Sequence, residues 1–108
     1  MAIKTIGIYK ITSPSEKIYI GQSKDIYRRW GNHKELRTSK QPRLYNSLLK
    51  YGIENHTFEV IEECDFEQLN IRERYWQDFY DVTGESGMNC SLTATDILPR
   101  MISEITRQ

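Results

Sequence analysis

The sequence lacks any apolar run long enough to cross a bilayer, which takes about 20 successive apolar residues. Its first residues, Met1 to Lys4, also lack the hydrophobic segment of a secretory leader. We therefore expect a soluble, cytoplasmic protein with no membrane partner. Its 108 residues are enough for one domain with a buried core and too few for a second domain.

Cysteine is scarce. Cys64 and Cys90 are the only cysteines, and their spacing matches no metal-binding motif. We interpret them as free thiols of a reducing compartment, with a disulfide as the alternative. The sequence also contains no internal repeat and no low-complexity segment, which excludes repeat architectures.

The formal net charge is zero, yet positive and negative residues are unevenly distributed along the chain. Residues 1–53 contain 11 Lys/Arg and 3 Asp/Glu, whereas residues 54–108 contain 4 and 12. A basic half is what a nucleic-acid surface needs, because Lys and Arg displace the counterions condensed on phosphates. The alternative is that the two halves neutralise each other across the fold. The charge pattern alone does not choose between these explanations.

Two strand-like runs separated by a proline-containing turn predict a β-hairpin. The runs cover residues 5–12 and 17–21. They contain the tripeptides Gly7-Ile8-Tyr9 and Tyr19-Ile20-Gly21. We therefore expect the two tyrosines to lie side by side, although packing on a sheet is the ordinary role of a strand tyrosine.

Helical periodicity accounts for most of the remaining chain. A first helix begins at Asp25, and a second runs from Pro42 to the residue before Gly52. Residues 56–62 are rich in β-forming residues and predict a third strand. The longest helix is expected over about 66–82.

The element order ββααβα predicts a small three-stranded antiparallel sheet flanked by helices, an α+β variant of the α/β class. Asp65 and Gln68 resemble a capping box at the start of the longest helix. Residues 93–108 are expected to form a short amphipathic helix or the start of a linker.

Glu73 is the most informative single residue, because it lies on the apolar stripe of the longest helix. It follows Phe66 by seven positions and Leu69 by four. A carboxylate on a core-facing stripe costs several kcal/mol in desolvation unless a partner compensates. One such partner is a divalent cation, since Mg²⁺ is commonly held by one or two protein carboxylates. The alternative is a salt bridge to an arginine: Arg29, Arg72 or Arg74.

Arg29 and His33 are one helical turn apart, so their side chains project from the same face of the first helix. The planar guanidinium group of an arginine suits a phosphate that gains charge in a transition state. An ion pair of Arg29 with Asp25 is the alternative role. For His33, a solvent-exposed side chain is the default expectation.

An ordered set of six residues resembles the GIY-YIG nuclease family: Tyr9, Tyr19, Arg29, His33, Glu73 and Asn89. The resemblance covers about residues 5–92 and is greatest to the catalytic domains of phage and intron homing endonucleases. It implies a catalytic domain in residues 1–92, with residues 93–108 as an extension. A bacterial or phage-infected cell is then the expected location.

The resemblance implies a DNA endonuclease that uses one divalent metal ion, Mg²⁺ with Mn²⁺ able to replace it. Glu73 is then the metal ligand, Arg29 stabilises the phosphate, and His33 assists proton transfer. Tyr9 either activates the attacking water as a base or only orients it, with Tyr19 beside it. Residues that support the site are then Gly7, Gly21 and Asn89. Phosphate contacts are expected from four basic residues: Lys24, Arg28, Lys34 and Arg37.

Three functions remain open at this point. The first is a homing-type nuclease whose target is chosen by a separate DNA-binding region or a partner protein, since 16 residues follow residue 92. The second is a repair or restriction nuclease of the same family, which cuts branched DNA or a short site. The third is a non-catalytic DNA-binding module that uses only the basic half, for which neither Glu73 nor a metal ion matters.

Overall fold

The computed structural model describes residues 4–36 and 41–95. Its main elements are, in chain order, β1 (Gly7–Thr12), β2 (Ile18–Ser23), α1 (Ile26–Lys34), α2 (Pro42–Tyr51), β3 (Thr57–Glu63) and α3 (Leu69–Tyr80). Short 3₁₀ turns precede β3 and α3, at Ile53–Asn55 and Phe66–Gln68. The predicted order ββααβα is confirmed. Among the described residues, no helix is long and apolar enough to span a membrane.

The three strands form one antiparallel sheet in the order β2-β1-β3, with β1 in the centre. Within the hairpin, Tyr9 lies opposite Gly21. The pairing of β1 with β3 contains a bulge between Ile8 and Tyr9. Next to this bulge, a Cβ atom on Gly7 would come within 2.9 Å of the Cα atom of Glu63. The close approach of two backbones therefore explains the glycine at this position.

Helices cover both faces of the sheet, because successive side chains of the central strand point to opposite sides. One face packs against α1 and α2 through buried residues: Tyr9, Ile11, Tyr19, Ile26, Leu44, Leu48 and Met88. The opposite face packs against α3 through a second group: Ile8, Ile20, Leu69 and Val82. Side chains of α1 and α3 can therefore meet only around an edge of the sheet.

The outer edge of β2 is closed by the loop that follows α3. The N–H group of Ile18 donates to the carbonyl of Ser86 at 3.0 Å, and Met88 donates back to Ile18 at 2.8 Å. Further along, the side-chain amide of Asn89 accepts from the N–H of Ile20 at 2.8 Å and donates to its carbonyl at 2.9 Å. The Asn89 amide thus satisfies both backbone groups of an edge residue, as a fourth strand would.

Arg43 holds this loop in place. Its guanidinium group donates hydrogen bonds of 2.6 to 3.0 Å to four backbone carbonyls, those of Thr83, Gly84, Gly87 and Asn89. These carbonyls belong to the loop that follows α3. Arg43 belongs to the basic half of the sequence, but its donors are used within the protein.

The longest helix differs from its prediction at the N-terminal end. The expected helix over about 66–82 is a 3₁₀ turn followed by α3. The predicted capping box is wrong, because the side chain of Asp65 makes no capping hydrogen bond. Instead, the N–H of Gln68 bonds to the backbone carbonyl of Asp65 at 2.9 Å, which closes the 3₁₀ turn. Phe66 consequently lies off the core-facing stripe and is 37% exposed.

Both cysteines are free, with Cys64 half-buried and Cys90 exposed, which confirms the interpretation as thiols. Arg37 lies outside the described residues. So does most of the predicted C-terminal helix, which would fall within residues 96–108.

Replacing Arg43 by alanine is expected to lower the free energy of unfolding by about 2–4 kcal/mol, because several charge-assisted hydrogen bonds are lost and carbonyl groups are left without partners. Chemical denaturation measures the loss. Arg28→Ala is the matched control, since Arg28 is exposed, and its effect should stay within about 0.5 kcal/mol. Equal effects of the two substitutions would contradict a structural role for Arg43.

Candidate active site

Tyr9 is at the centre of a buried aromatic cluster on the α1 face of the sheet. Its side chain is 1% exposed, and its hydroxyl oxygen forms a hydrogen bond of 2.8 Å with Nε2 of His33. The ring centroids of Tyr19 and Trp30 lie 6.3 and 6.2 Å from that of Tyr9. The hairpin thus places the two tyrosines side by side, and α1 adds the histidine.

Gly21 leaves the space that the Tyr9 ring occupies. The two residues are opposite each other in the hairpin. A Cβ atom at position 21 would lie 2.5 Å from the Tyr9 hydroxyl oxygen and 2.9 Å from the ring atom Cε1. Because atoms in a packed interior cannot approach so closely, a larger residue would push the ring away from His33.

His33 is buried, with 3% of its surface exposed, so the expectation of an exposed histidine is wrong. The reason is its position on α1. Ile26, Trp30 and His33 are spaced four and three residues apart, which places them on one stripe of the helix, and this stripe faces the sheet. The spacing is visible in the sequence and is the signal that indicates the burial.

Burial sets the protonation of the Tyr9–His33 pair. Burial and the nearby charge of Arg29 lower the pKa of His33 to about 4. Burial, together with the neighbouring Tyr19, raises the pKa of Tyr9 well above its usual value. At neutral pH the hydrogen bond therefore joins an uncharged imidazole and a protonated phenol. Nδ1 of His33 and Nε1 of Trp30 are buried and have no hydrogen-bond partner among the described residues.

Glu73 is the buried carboxylate of the site, with 7% of its surface exposed. Its Oε1 atom accepts a hydrogen bond of 2.9 Å from Nε2 of Gln22 and another from the hydroxyl group of Thr93. Burial raises its pKa, while these two hydrogen bonds and the charge of Arg29 act in the opposite direction. Within residues 4–36 and 41–95, Oε2 makes no hydrogen bond.

A salt bridge does not explain the burial of Glu73 in the part of the chain that the structure describes. Arg72 and Arg74 pair instead with other carboxylates, at 2.8 and 3.0 Å. Arg29 influences the pKa of Glu73 through its charge but forms no ion pair with it there. The buried carboxylate therefore lacks a direct cationic partner.

Sequence reasoning missed Gln22 and Thr93, the two donors to Glu73. Gln22 also donates to Oδ1 of Asn70 at 2.8 Å. Side chains alternate along β2, so Gln22 lies on the face that packs against α3. A polar residue at such an inward-facing position could have been recognised in the sequence as a candidate site residue. Thr93 has no such signal, because it lies in a loop 20 residues after Glu73. Its N–H donates to Oε1 of Gln77 at 2.8 Å, so the chain beyond residue 92 contacts α3.

The tyrosine cluster and Glu73 belong to opposite faces of the sheet and approach each other at the edge strand β2. The negative charge of Glu73 raises the pKa of both Tyr9 and Tyr19, and the positive charge of Arg29 lowers both. Arg29 also lowers the pKa of His33. Direct contacts join Tyr9, Tyr19 and His33, and the charges of Arg29 and Glu73 act on this cluster.

Arg29 is exposed on α1. The alternative pair with Asp25 is not formed within the described residues. Instead, the carboxylate of Asp25 caps α1 by accepting from the N–H of Arg28 at 3.4 Å. The guanidinium group of Arg29 is thus available to a ligand.

A basic cavity of about 220 Å³ opens beside Arg29. Its lining includes Lys24 and Arg28, two of the four predicted phosphate contacts, and also Lys4. Lys34 does not line this cavity, and its ammonium group lies over an aromatic ring instead. The cavity therefore groups four cations of the basic half, together with the carboxylate of Asp25, around one concave surface.

One ion pair between described residues joins the basic and acidic halves of the sequence, that of Lys10 and Glu59 at 3.7 Å. The others lie within the acidic half. This arrangement favours a nucleic-acid surface as the explanation of the basic half.

The donor set at Glu73 fits a magnesium-type cation better than a zinc-type one. Across residues 4–36 and 41–95, no group of three or more His, Cys, Asp or Glu could hold a metal ion. Zinc sites take three or four protein ligands. One buried carboxylate with an available oxygen suits Mg²⁺, which keeps several water ligands and takes others from substrate phosphates.

Comparisons with known proteins identify the family and the fold. The family model described as the GIY-YIG catalytic domain matches residues 5–84. A mutant of the catalytic domain of intron endonuclease I-TevI is 27% identical, with a TM-score of 0.73 over 84% of this chain and 97% of that one. The catalytic domain of homing endonuclease I-TevI is also 27% identical, with a TM-score of 0.69 over 80% and 98%. No curated protein sequence matches. The resemblance and the fold expected from the sequence are confirmed.

The free energy of unfolding is expected to fall as the pH drops below about 6.5, because unfolded His33 binds a proton more readily than folded His33. The pKa is 6.5 in the unfolded chain and about 4 in the folded one. The contribution is therefore fully present above pH 6.5 and is lost towards pH 4, by up to about 3 kcal/mol. Urea unfolding between pH 7 and pH 4 measures it.

The control for this pH dependence is His33→Gln, which removes the titrating group. The raised pKa of Glu73 acts in the opposite direction, since its protonation favours the folded state at low pH. Both proteins are therefore compared in a Glu73→Gln background. An equal decline of stability with and without His33 would contradict the lowered pKa.

Proposed function

The chain belongs to the GIY-YIG family, and we propose that it is an endonuclease that hydrolyses phosphodiester bonds of DNA with one divalent metal ion. The observation that supports this most directly is the position of Glu73, a buried carboxylate without a direct cationic partner, near Tyr9, Tyr19 and Arg29. The likeness to the I-TevI domains favours a homing-type nuclease over a repair or restriction nuclease.

Glu73 would hold the metal ion, Mg²⁺ with Mn²⁺ able to replace it. A divalent ion bound there would polarise the scissile phosphate and stabilise the leaving oxygen. Gln22 and Thr93 both bond to Oε1 and so orient the carboxylate, while Oε2 stays available. The raised pKa of Glu73 reflects a buried charge that a cation would compensate.

Tyr9 and His33 move the proton of the attacking water. Burial keeps the Tyr9 phenol protonated at neutral pH, so Tyr9 is not a preformed anionic base. As the water oxygen bonds to phosphorus and the bond to the leaving oxygen breaks, the water gives a proton to the Tyr9 oxygen. Tyr9 passes its own proton to Nε2 of His33, 2.8 Å away. His33 then releases this proton to solvent, since its lowered pKa disfavours the charged form. The leaving oxygen takes a proton from solvent, and Tyr19 packs against the Tyr9 ring throughout.

Arg29 stabilises the phosphate as it gains negative charge, because its guanidinium group is exposed and planar and offers two parallel donors. Lys24 and Arg28 line the adjoining cavity and contact neighbouring phosphates. Target choice then depends on DNA features or on a separate DNA-binding region or partner protein.

Cleavage of supercoiled plasmid in Mg²⁺ or Mn²⁺ tests the proposed chemistry. Wild-type protein is expected to give nicked or linear product, and Glu73→Gln, which keeps the side-chain shape, is expected to lower the rate at least about 100-fold. EDTA should stop the wild-type reaction. Glu85→Gln is the matched control, because Glu85 is an exposed carboxylate in a loop, and it should cut at the wild-type rate.

Two outcomes would contradict the proposal. Equal cutting by wild type and Glu73→Gln would place the activity at another site. No cutting by any sample, combined with DNA binding that is indifferent to metal and to Glu73, would identify a non-catalytic binding module.

Arg29→Lys is expected to reduce kcat about 10- to 100-fold, because a lysine keeps the charge but loses the planar, bidentate donor pair. Arg28→Lys is the matched control at the adjacent position. It contributes to phosphate binding, so it should raise KM slightly and leave kcat near the wild-type value. Steady-state kinetics on one oligonucleotide duplex distinguish the effects of the two substitutions on kcat and KM. Equal effects on kcat would remove the assigned role of Arg29.

A further inference from the structure

A second basic cavity lies at the turn of the hairpin, on the sheet face that holds the tyrosine cluster. Its volume is about 240 Å³. It is bordered by the β1–β2 turn, by α2 and by the loop after α3. The side chains that could contact a ligand there are Ser15, Lys17, Asn46, Ser47, Lys50 and Tyr51.

The charge of this cavity is unbalanced. Lys17 and Lys50 are exposed, and neither forms an ion pair within the described part of the chain. No Asp or Glu lines the cavity. Arg43 adds a third positive charge, since hydrogen bonds to carbonyl groups leave that charge in place. By contrast, Lys10 on the opposite face of the hairpin pairs with Glu59.

Positive charge and hydroxyl groups converge at Tyr51. Polar contacts with Ser15 and Lys50, together with the charges of Lys50 and Lys17, lower the pKa of the Tyr51 phenol. The ammonium group of Lys50 lies 5.1 Å from the centre of the Tyr51 ring. The cavity therefore combines hydrogen-bond donors with positive charge, which is the combination that binds an anion with oxygen acceptors.

We propose that this cavity binds a phosphate group of the DNA backbone away from the bond that is cut. The proposal rests on the proposed endonuclease function. A phosphodiester carries one negative charge on two outer oxygens, which can accept from Lys17, Lys50 and the hydroxyl groups around them. The cavity is concave and has no carboxylate to repel such a group.

The position of the cavity suits a second phosphate on the same DNA. Lys17 precedes Gly21 by four residues of the same hairpin arm, which is about 13 Å at about 3.3 Å per strand residue. Phosphates of one DNA strand rise by about 3.4 Å per nucleotide. Because the strand also winds around the axis, this distance spans no more than about four nucleotides, so the cavity would receive a phosphate close to the scissile one and would set the direction in which the DNA crosses the site.

Fluorescence anisotropy of a labelled 20-base-pair duplex, in EDTA so that no DNA is cut, tests the proposal as a function of salt. The variants are Lys17→Gln, Lys50→Gln and the double variant. The double variant, which loses the contact with that one phosphate, is expected to lower the slope of log K against log salt by about 0.9, and each single variant by part of that amount. Loss of the whole contact should weaken binding roughly eightfold at 0.1 M salt.

Lys10→Gln is the matched control, because it removes the same charge from the other face of the same hairpin. Its slope should equal that of wild type. The two cavity lysines are exposed, so the variants at positions 17 and 50 should unfold at the wild-type temperature. Equal slopes for the control and the double variant would overturn the proposal.

A Lys24→Gln variant and inorganic phosphate distinguish the remaining outcomes. If Lys24→Gln weakens duplex binding and the double variant does not, the nuclease proposal stands and the second cavity has no DNA role. If NMR then shows that inorganic phosphate alone shifts the amides of residues 15–17 and 46–51, the ligand is a free phosphate, and the DNA assignment is again overturned. If wild-type protein neither binds nor cuts DNA, the endonuclease proposal fails first.

Discussion

The packing of the Tyr9 ring over the backbone of Gly21 is the contact on which the rest of the site depends. The strand register places the two residues opposite each other, and a glycine leaves the space that the ring needs. With the ring in this position, the Tyr9 hydroxyl group forms its hydrogen bond with His33. This bond also requires α1 to cross the sheet next to Tyr9. The two tripeptides are therefore two halves of one contact, since one strand supplies the ring and the other supplies the space for it.

The edge of β2 joins this cluster to Glu73 on the opposite side of the sheet. Asn89 satisfies the backbone of Ile20, so the strand is held rigidly next to the site. Beyond that point Gln22 reaches Glu73, and Thr93 adds a second donor. These bonds recover only part of the desolvation cost, because the pKa of Glu73 remains raised. A buried carboxylate kept at such a cost is typical of a functional site.

The basic half of the chain serves several distinct roles that a charge count cannot separate. Arg43 binds loop carbonyls and stabilises the fold. The charge of Arg29 acts on the tyrosines and Glu73, and the cavity that Arg29 lines contains further cations. Lys17 and Lys50 line a separate cavity at the other end of the hairpin. The two basic cavities lie on either side of the tyrosine cluster, so an extended polyanion such as DNA could bind along both of them.

The sequence by itself determined the hairpin, the order of the elements and the family, because these depend on local periodicity and on a few residue types at set positions. It also contained the signal for the burial of His33, in the stripe spacing of α1. Only the tertiary structure decided that Gln22 and Thr93, 51 and 20 residues away, bond to Glu73, and that Arg43 is structural. Such partners are chosen when helices pack on both faces of a sheet. Contacts of this kind leave no periodic pattern along the chain.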